Sequence, residues 1–167
     1  MRDNITHILA QITGYMSKIP ASGISLLARV IMAAIFWTSG MTKIAFNVEG
    51  ITDFSWSQIW NVITLNWTVS EGTYMLFEYE YNLPVIPFEW AAHMALTAEL
   101  ILPIALILGI FTRYAALAML GMTLVIQILV YPNLWSVHAL WAIALLSIMT
   151  QGGGRLSVDH FICRKCL

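Results

Sequence analysis

The chain has 167 residues, 59% of them hydrophobic and 10% charged, and a formal net charge of −1. Soluble domains carry about 25% charged residues, so this composition excludes an ordinary water-soluble fold. It also excludes nucleic-acid binding, because no basic stripe with interleaved aromatics is present.

From the N-terminus, Ile5, Ile8, Leu9, Ile12, Met16 and Ile19 recur at three- and four-residue steps, with Asp3, Asn4, Gln11, Thr13 and Lys18 on other faces. The spacing predicts an amphipathic helix lying in the membrane interface over residues 1–21. The apolar run from Ile24 to Phe46 begins too far from Met1, and is too long, for the core of a cleaved signal. It is expected to remain as the first span, 22–46. Residues 47–87 contain no Lys or Arg and place Glu49, Asp53, Glu71, Glu78 and Glu80 beside Trp56, Trp60, Trp67, Tyr74, Tyr79 and Tyr81. Trp and Tyr favour the headgroup region, which predicts an aromatic cap on one leaflet with a short interfacial helix near 54–65.

Three further stretches, 88–111, 113–132 and 134–150, are long enough to cross a bilayer. Gly109, Thr112 and Arg113 separate the second span from the third, and Tyr131, Pro132 and Asn133 turn the third into the fourth. Connections this short imply antiparallel neighbours. The expected fold class is an all-α membrane protein, an antiparallel bundle of four transmembrane helices over 22–150, followed by a tail over 151–167. Lys and Arg accumulate on the cytoplasmic side of membranes. With the N-terminus inside, that side receives Arg2, Lys18, Arg29, Arg113, Arg155, Arg164 and Lys165, and only Lys43 falls on the other. Both termini are therefore expected in the cytoplasm, with 47–87 outside.

Ionisable residues inside the spans carry the chemical information, since a mid-bilayer charge costs at least about 2.5–3.5 kcal/mol and must find a partner, become neutral or reach water. Glu99 lies near the middle of the second span. Arg29 and Lys43 stand 14 residues apart, close to four full turns, so with Phe36 and Gly40 they mark one face of the first helix. Arg29, Lys43 and Glu99 form a candidate buried charge network, in which either cation approaches Glu99 from its own level. Such a set either locks the bundle or relays protons.

A second polar group emerges from the alternating direction of the spans. Glu89, His93 and Thr97 step by four along the second helix, Thr123, Gln127 and Tyr131 along the third, and His138 and Trp141 follow early in the fourth. The pattern predicts a chamber in the outer half of the membrane formed by His93, Gln127, Tyr131, His138 and Trp141. Its histidines are suited to hydrogen-bond a quinone carbonyl, relay protons or ligate a metal. Pro103, four residues after Glu99, removes a backbone donor and predicts a kink.

The two cysteines stand at the extreme C-terminus as Cys163-Arg164-Lys165-Cys166, preceded by His160. Facing a reducing cytoplasm they do not suit a structural disulfide. Neighbouring cations favour thiolate, which suits metal binding, redox exchange or acylation. His160, Cys163 and Cys166 supply at most three metal ligands, one short of a closed tetrahedral zinc site. The GxxxxGK[ST], HExxH and GxSxG motifs are absent.

Several short motifs, in order, resemble the DoxX family. They are Leu27-Ala28-Arg29 early in the first span, Ser39-Gly40-Met41-Thr42-Lys43 closing it, Glu99-Leu100 in the second, Leu108-Gly109-Ile110-Phe111-Thr112-Arg113 between spans, and Gly152-Gly153-Gly154-Arg155-Leu156-Ser157-Val158-Asp159 after the last. The resemblance covers about residues 22–160 and implies a four-helix bundle in the bacterial inner membrane. Val130-Tyr131-Pro132 with Trp135, His138 and Trp141 is similar to a DoxX subgroup encoded beside enzymes that modify cysteine-containing, metal-binding peptides. The resemblance implies a redox-associated membrane subunit that interacts with quinone and with a protein partner. The alternative it leaves open is a non-enzymatic assembly or transport partner in a metal-stress or modified-peptide system.

Overall fold

The computed structural model describes residues 13–15, 17, 18, 20–46, 60, 64 and 67–163. The expected interfacial helix over 1–21 lies outside the described residues apart from a helical turn at 13–15 and a few neighbours, and the expected helix near 54–65 lies outside them apart from Trp60 and Thr64. Among the described residues, four helices are long and apolar enough to cross a membrane: Ala21–Lys43, Phe88–Leu108, Thr112–Val130 and Pro132–Gln151. At 1.5 Å per residue each covers the roughly 30 Å of a hydrocarbon core.

Helix α1, Ala21–Lys43, follows Pro20, whose extended backbone starts the helix without needing an amide donor. Its buried residues are Ser25, Arg29, Met32, Ala33, Phe36, Gly40 and Lys43, a stripe at steps of three and four that turns inward along the whole span. The chain then leaves the helix as strand β1, Ile44–Phe46, which pairs antiparallel with β2, Trp67–Val69. This two-stranded ribbon is an addition to the all-α expectation, and it ends the first span at Lys43 rather than at residue 46.

The short helix α2, Glu71–Met75, is capped by the Ser70 hydroxyl, which accepts from the Thr73 amide. Ser70 N–H and Thr73 Oγ1 both donate to the Lys43 carbonyl, so the cap is fastened to the end of α1. A π-helical turn, Leu76–Tyr81, continues α2 and carries Phe77 and Tyr81 toward the bundle.

Helices α3 (Phe88–Leu108), α4 (Thr112–Val125, extended by a π turn to Val130) and α5 (Trp135–Gln151, after a tight turn at Pro132–Leu134) complete the bundle. Helix α1 packs on α3 and α5, and α4 packs on α5 and α3, so each helix lies beside its neighbours in a closed up-and-down ring. Helices α1 and α3 come into close contact at Gly40, where a Cβ would lie 3.1 Å from Leu100 Cδ2 and 3.2 Å from Glu99 Cβ.

The core is divided along the bundle. Toward the Arg29 end, Met32, Phe36, Leu106, Met119, Leu145 and Ile148 fill the space among all four helices. Toward the Lys43 end, Leu96, Leu100 and Ala92 of α3 pack with Phe77 and Val69 of the cap. Burial on α4 stops at Thr123, none of Ile126–Val130 is buried, and on α5 only His138 is buried before Leu145. That missing packing leaves room for a cavity.

The Arg29 end is closed by the segment expected to be a tail. Arg29, fully buried, donates through Nε to the Leu106 carbonyl at 2.7 Å, through Nη2 to Ile107 at 2.6 Å, and through Nη1 to Gly153 at 2.6 Å and Leu156 at 2.9 Å. One guanidinium thus ties the C-terminal carbonyls of α3 to the turn after α5. Gly109 adopts φ +72°, and a Cβ there would collide with Ser157 Cβ and lie 2.7 Å from Arg29 Nη2, so both backbone shape and space require glycine.

Asp159, in helix α6 (Val158–Cys163), completes the closure by accepting from the amides of Phe111 and Thr112, each at 2.8 Å, and from Thr112 Oγ1 at 2.7 Å. Burial pushes the Asp159 carboxyl up. The hydrogen bonds from Thr112 and Phe111, with the Arg29 charge, outweigh burial and hold the carboxyl below its ordinary value. Because the folded value is depressed, its contribution to stability is complete above the unfolded value of about 3.9 and is lost as pH falls through the folded one. Unfolding temperatures in detergent between about pH 6 and about pH 3 are expected to fall more for the native chain than for Asp159→Asn, which starts lower and follows a shallower curve. Parallel curves would remove Asp159 from this role.

Candidate functional site

A cavity of about 510 Å³ occupies the Lys43 half of the bundle. One wall is Phe36, Ser39 and Lys43 of α1, the next is Ala95, Ala98 and Glu99 of α3, and the third is Met122 and Ile126 of α4 with His138 and Trp141 of α5. Phe77, Tyr81 and Tyr131 close it on the cap side. Met94, Val125 and Val137 also line it while being 58%, 44% and 40% exposed, so the rim of the cavity is apolar surface on the outside of the bundle. Both π-helical turns border the cavity. The extra residue in each turn shifts the side-chain register, and the residues that end the two turns, Tyr81 and Val130, line the cavity.

Its polar groups are few and definite. Lys43 Nζ stands 2.7 Å from Glu99 Oε2, 2.9 Å from Oε1 and 2.8 Å from Ser39 Oγ, and Ser39 Oγ lies 3.1 Å from Glu99 Oε1. Lys43 and Glu99 are 7% and 3% exposed, so two opposite charges share a nearly dry site with a hydroxyl between them. All three ammonium protons are engaged, while the carboxylate retains accepting capacity.

His138, 4% exposed, places Nδ1 at 2.6 Å from Gln127 Oε1. Among the described residues, its Nε2 makes no hydrogen bond. The imidazole ring packs edge-on against Trp141 with centroids 5.1 Å apart, and Trp141 in turn lies 5.8 Å from Phe36.

At the cap, Tyr131 donates to Glu80 Oε1 at 2.9 Å, and its ring lies 5.9 Å from that of Tyr81. Burial raises the Tyr81 phenol above its ordinary value, and a hydrogen bond with Tyr131 and the charges of Tyr131, Glu99 and Glu80 add to this, so Tyr81 stays neutral.

The expected chamber is thereby divided. Tyr131, His138 and Trp141 line the cavity, and Gln127 stands behind His138 as its hydrogen-bond partner. His93 is not among the lining residues. It is exposed, its Nδ1 lies 2.8 Å from the Glu89 carbonyl, and Tyr74 covers it with a hydroxyl 3.2 Å from Nε2. The expected three-charge network also separates: Lys43 pairs with Glu99, whereas Arg29 binds backbone carbonyls at the opposite end.

Ser39, Tyr81 and Glu80 complete the site without having been singled out by function. Only Ser39 left a signal, its i, i+4 spacing from Lys43 on the inward face of α1. Of the candidate metal residues, His160 is exposed on α6, Cys163 ends that helix, and Cys166 lies outside the described residues. Among the described residues, no group of three or more His, Cys, Asp or Glu stands together in a way that would hold a metal ion.

Comparison with known proteins places this architecture in a family. The chain is similar to a Haemophilus influenzae protein described as an uncharacterized protein, with 30% identity over 153 residues, covering 84% of this chain and 85% of the relative. No solved structure matches it. The DoxX family model matches residues 24–132, which contain most of α1, the cap, α3 and all of α4, and the chain is therefore a multi-pass membrane protein of the DoxX family.

Proposed function

We propose that this protein is a redox-associated subunit of the bacterial inner membrane that holds a quinone-type ring lipid in the cavity at the Lys43 end. The observation that carries this reading is His138, a buried imidazole with one nitrogen unpaired among the described residues, in the wall of an otherwise largely apolar cavity that borders the lipid-facing surface.

The residues present fit such a ring. A cavity of about 510 Å³ lies within the range of small-molecule sites. Phe36, Trp141 and Tyr81 offer aromatic surfaces to a planar head, and the exposed apolar rim of Met94, Val125 and Val137 suits a hydrocarbon tail continuing into the bilayer. A quinone, when bound, supplies the chemistry of a carrier of electrons and protons. His138 holds its polar edge, and Lys43 and Glu99 keep the wall beside it charged and ordered. Exposed Tyr79 and Trp90, on the elements that carry Tyr81 and Ala91, provide a surface for a partner in a membrane complex. The excess of Lys and Arg at the other end supports placing that end in the cytoplasm.

Purification in mild detergent followed by extraction and quantitation of quinones tests the reading. The native chain is expected to carry near-stoichiometric quinone plus its reduced form, or to take one of them up when supplied, and His138→Leu is expected to lose most of the reduced form while remaining folded. Absence of bound quinone, with no uptake of added quinone, would sink the proposal in favour of a non-enzymatic assembly or transport role.

A further inference from the structure

The amide of Gln127 has a defined orientation. Its Nε2 lies 2.8 Å from the carbonyl oxygen of Pro132, an atom that can only accept, so Nε2 is the donor there. Its Oε1 then faces His138 Nδ1 at 2.6 Å and can only accept, so Nδ1 carries the proton. With Nδ1 protonated, the imidazole in its neutral form presents Nε2 as a lone-pair acceptor, and among the described residues nothing hydrogen-bonds to that nitrogen. The π turn at Ile126–Val130 helps to fix this arrangement, because Tyr131 N–H closes back onto the Ile126 carbonyl and holds the Pro132 turn beside Gln127.

The other groups in the wall have related demands. The Lys43 ammonium is consumed by Glu99 and Ser39, so it offers no free proton, and the Glu99 carboxylate accepts only. The Tyr131 hydroxyl proton goes to Glu80. Trp141 N–H makes no hydrogen bond among the described residues and sits three residues along α5 from His138. A hydroxyl satisfies such a wall, because it donates to an acceptor and still accepts from an N–H. A carbonyl leaves the His138 lone pair facing another lone pair.

We infer that the cavity selects the hydroxylated, reduced form of its ring ligand over the carbonyl form, and that Gln127 is the positioning residue that sets this preference by fixing the His138 tautomer. This inference rests on the ring-lipid reading of the cavity and adds the oxidation state of the ligand. It also distinguishes His138 from His93, whose two ring nitrogens are both occupied, by the Glu89 carbonyl and the Tyr74 hydroxyl.

The test uses the full chain in detergent under argon, with decylubiquinone and its chemically reduced form as probes in equilibrium dialysis. One hydrogen bond gained against one lone-pair conflict predicts roughly tenfold tighter binding of the reduced probe. Gln127→Leu frees the imidazole to adopt either tautomer and is expected to bring the two affinities within about twofold. Nitrogen-15 NMR of labelled histidine, with the His138 signal assigned by its loss in His138→Phe, gives a readout independent of ligand: a protonated Nδ1 in the native chain, and a mixture in Gln127→Leu. Equal binding of the two probes by the native chain, or an unchanged preference in folded Gln127→Leu, overturns the inference and leaves the ring-lipid reading standing. Failure of both probes to bind overturns both.

Discussion

Lys43→Met is expected to lower the unfolding free energy in detergent by about 3–5 kcal/mol, because it leaves the Glu99 carboxylate buried without its cation. The magnitude follows from the environment. Glu99 is 3% exposed, its oxygens lie 2.7 and 2.9 Å from Lys43 Nζ, and after the substitution only the Ser39 hydroxyl remains as a donor among the described residues. Glu99→Leu is expected to cost a similar amount by stranding the ammonium. The double variant Lys43→Met/Glu99→Leu removes both desolvated charges and should recover most of the loss, since replacing a buried pair with apolar groups of similar volume is often neutral or stabilising. Chemical or thermal unfolding of the four proteins forms a double-mutant cycle. Single variants within about 1 kcal/mol of the native chain would mean that the pair is hydrated.

The cycle also separates two roles for the pair. If the double variant is stable and retains its ring ligand with unchanged affinity, Lys43 and Glu99 specify how α1 meets α3. If it is stable but loses the ligand, the charged wall belongs to the binding site. The close sharing of Ser39 Oγ by both charges favours a fixed geometry in either case, since moving any one member leaves another buried group unpaired.

Helix periodicity made one face of the bundle legible before any coordinate. Arg29, Phe36, Gly40 and Lys43 recur with the period of a helix, and all four are buried on α1. Periodicity also carries depth, and depth separates the charges: 14 residues at 1.5 Å is roughly 21 Å, far beyond the reach of an arginine that would share Glu99 with Lys43. His93 stands apart from the cavity for a different reason. Helix α3 is apolar nearly all round, so sequence marks the spacing of Glu89, His93 and Thr97 but not which side turns inward; the inward side is Ala92, Leu96, Glu99 and Pro103. Near the membrane surface a polar side chain is as well served by the cap as by the interior, and Tyr74 supplies what His93 needs. The partners of Arg29 were invisible because backbone carbonyls leave no residue signature. The β ribbon was likewise unannounced, since three-residue strands in an aromatic cap lack a resolvable alternation.

Arg29→Ala is expected to destabilise the chain by at least about 3–5 kcal/mol, as four carbonyl oxygens lose charged donors and are left inside the bundle. Two of those oxygens belong to Leu106 and Ile107 at the C-terminal end of α3, where the helix dipole is negative and no intrahelical donor follows. The other two, on Gly153 and Leu156, belong to the turn that presents Asp159 to the start of α4. Arg29→Lys is therefore not a conservative change. Three protons on a single nitrogen cannot fork between two backbone segments as the planar guanidinium does, and most of the loss should remain. The damage should also be local in character. Release of the 152–163 segment removes the Asp159 bonds to Phe111 and Thr112, so limited proteolysis is expected to cut there first, and Asp159→Asn should add less in the Arg29→Lys background than it costs alone. Folded Arg29→Lys protein should still bind the ring ligand at the Lys43 end, because the Arg29 core of Met32, Phe36, Leu106 and Met119 separates the two regions. A lysine variant as stable as the native chain would show that charge alone closes this end of the bundle. A lysine variant that is unstable, yet competent to bind when folded, assigns the closure to the geometry of the guanidinium fork.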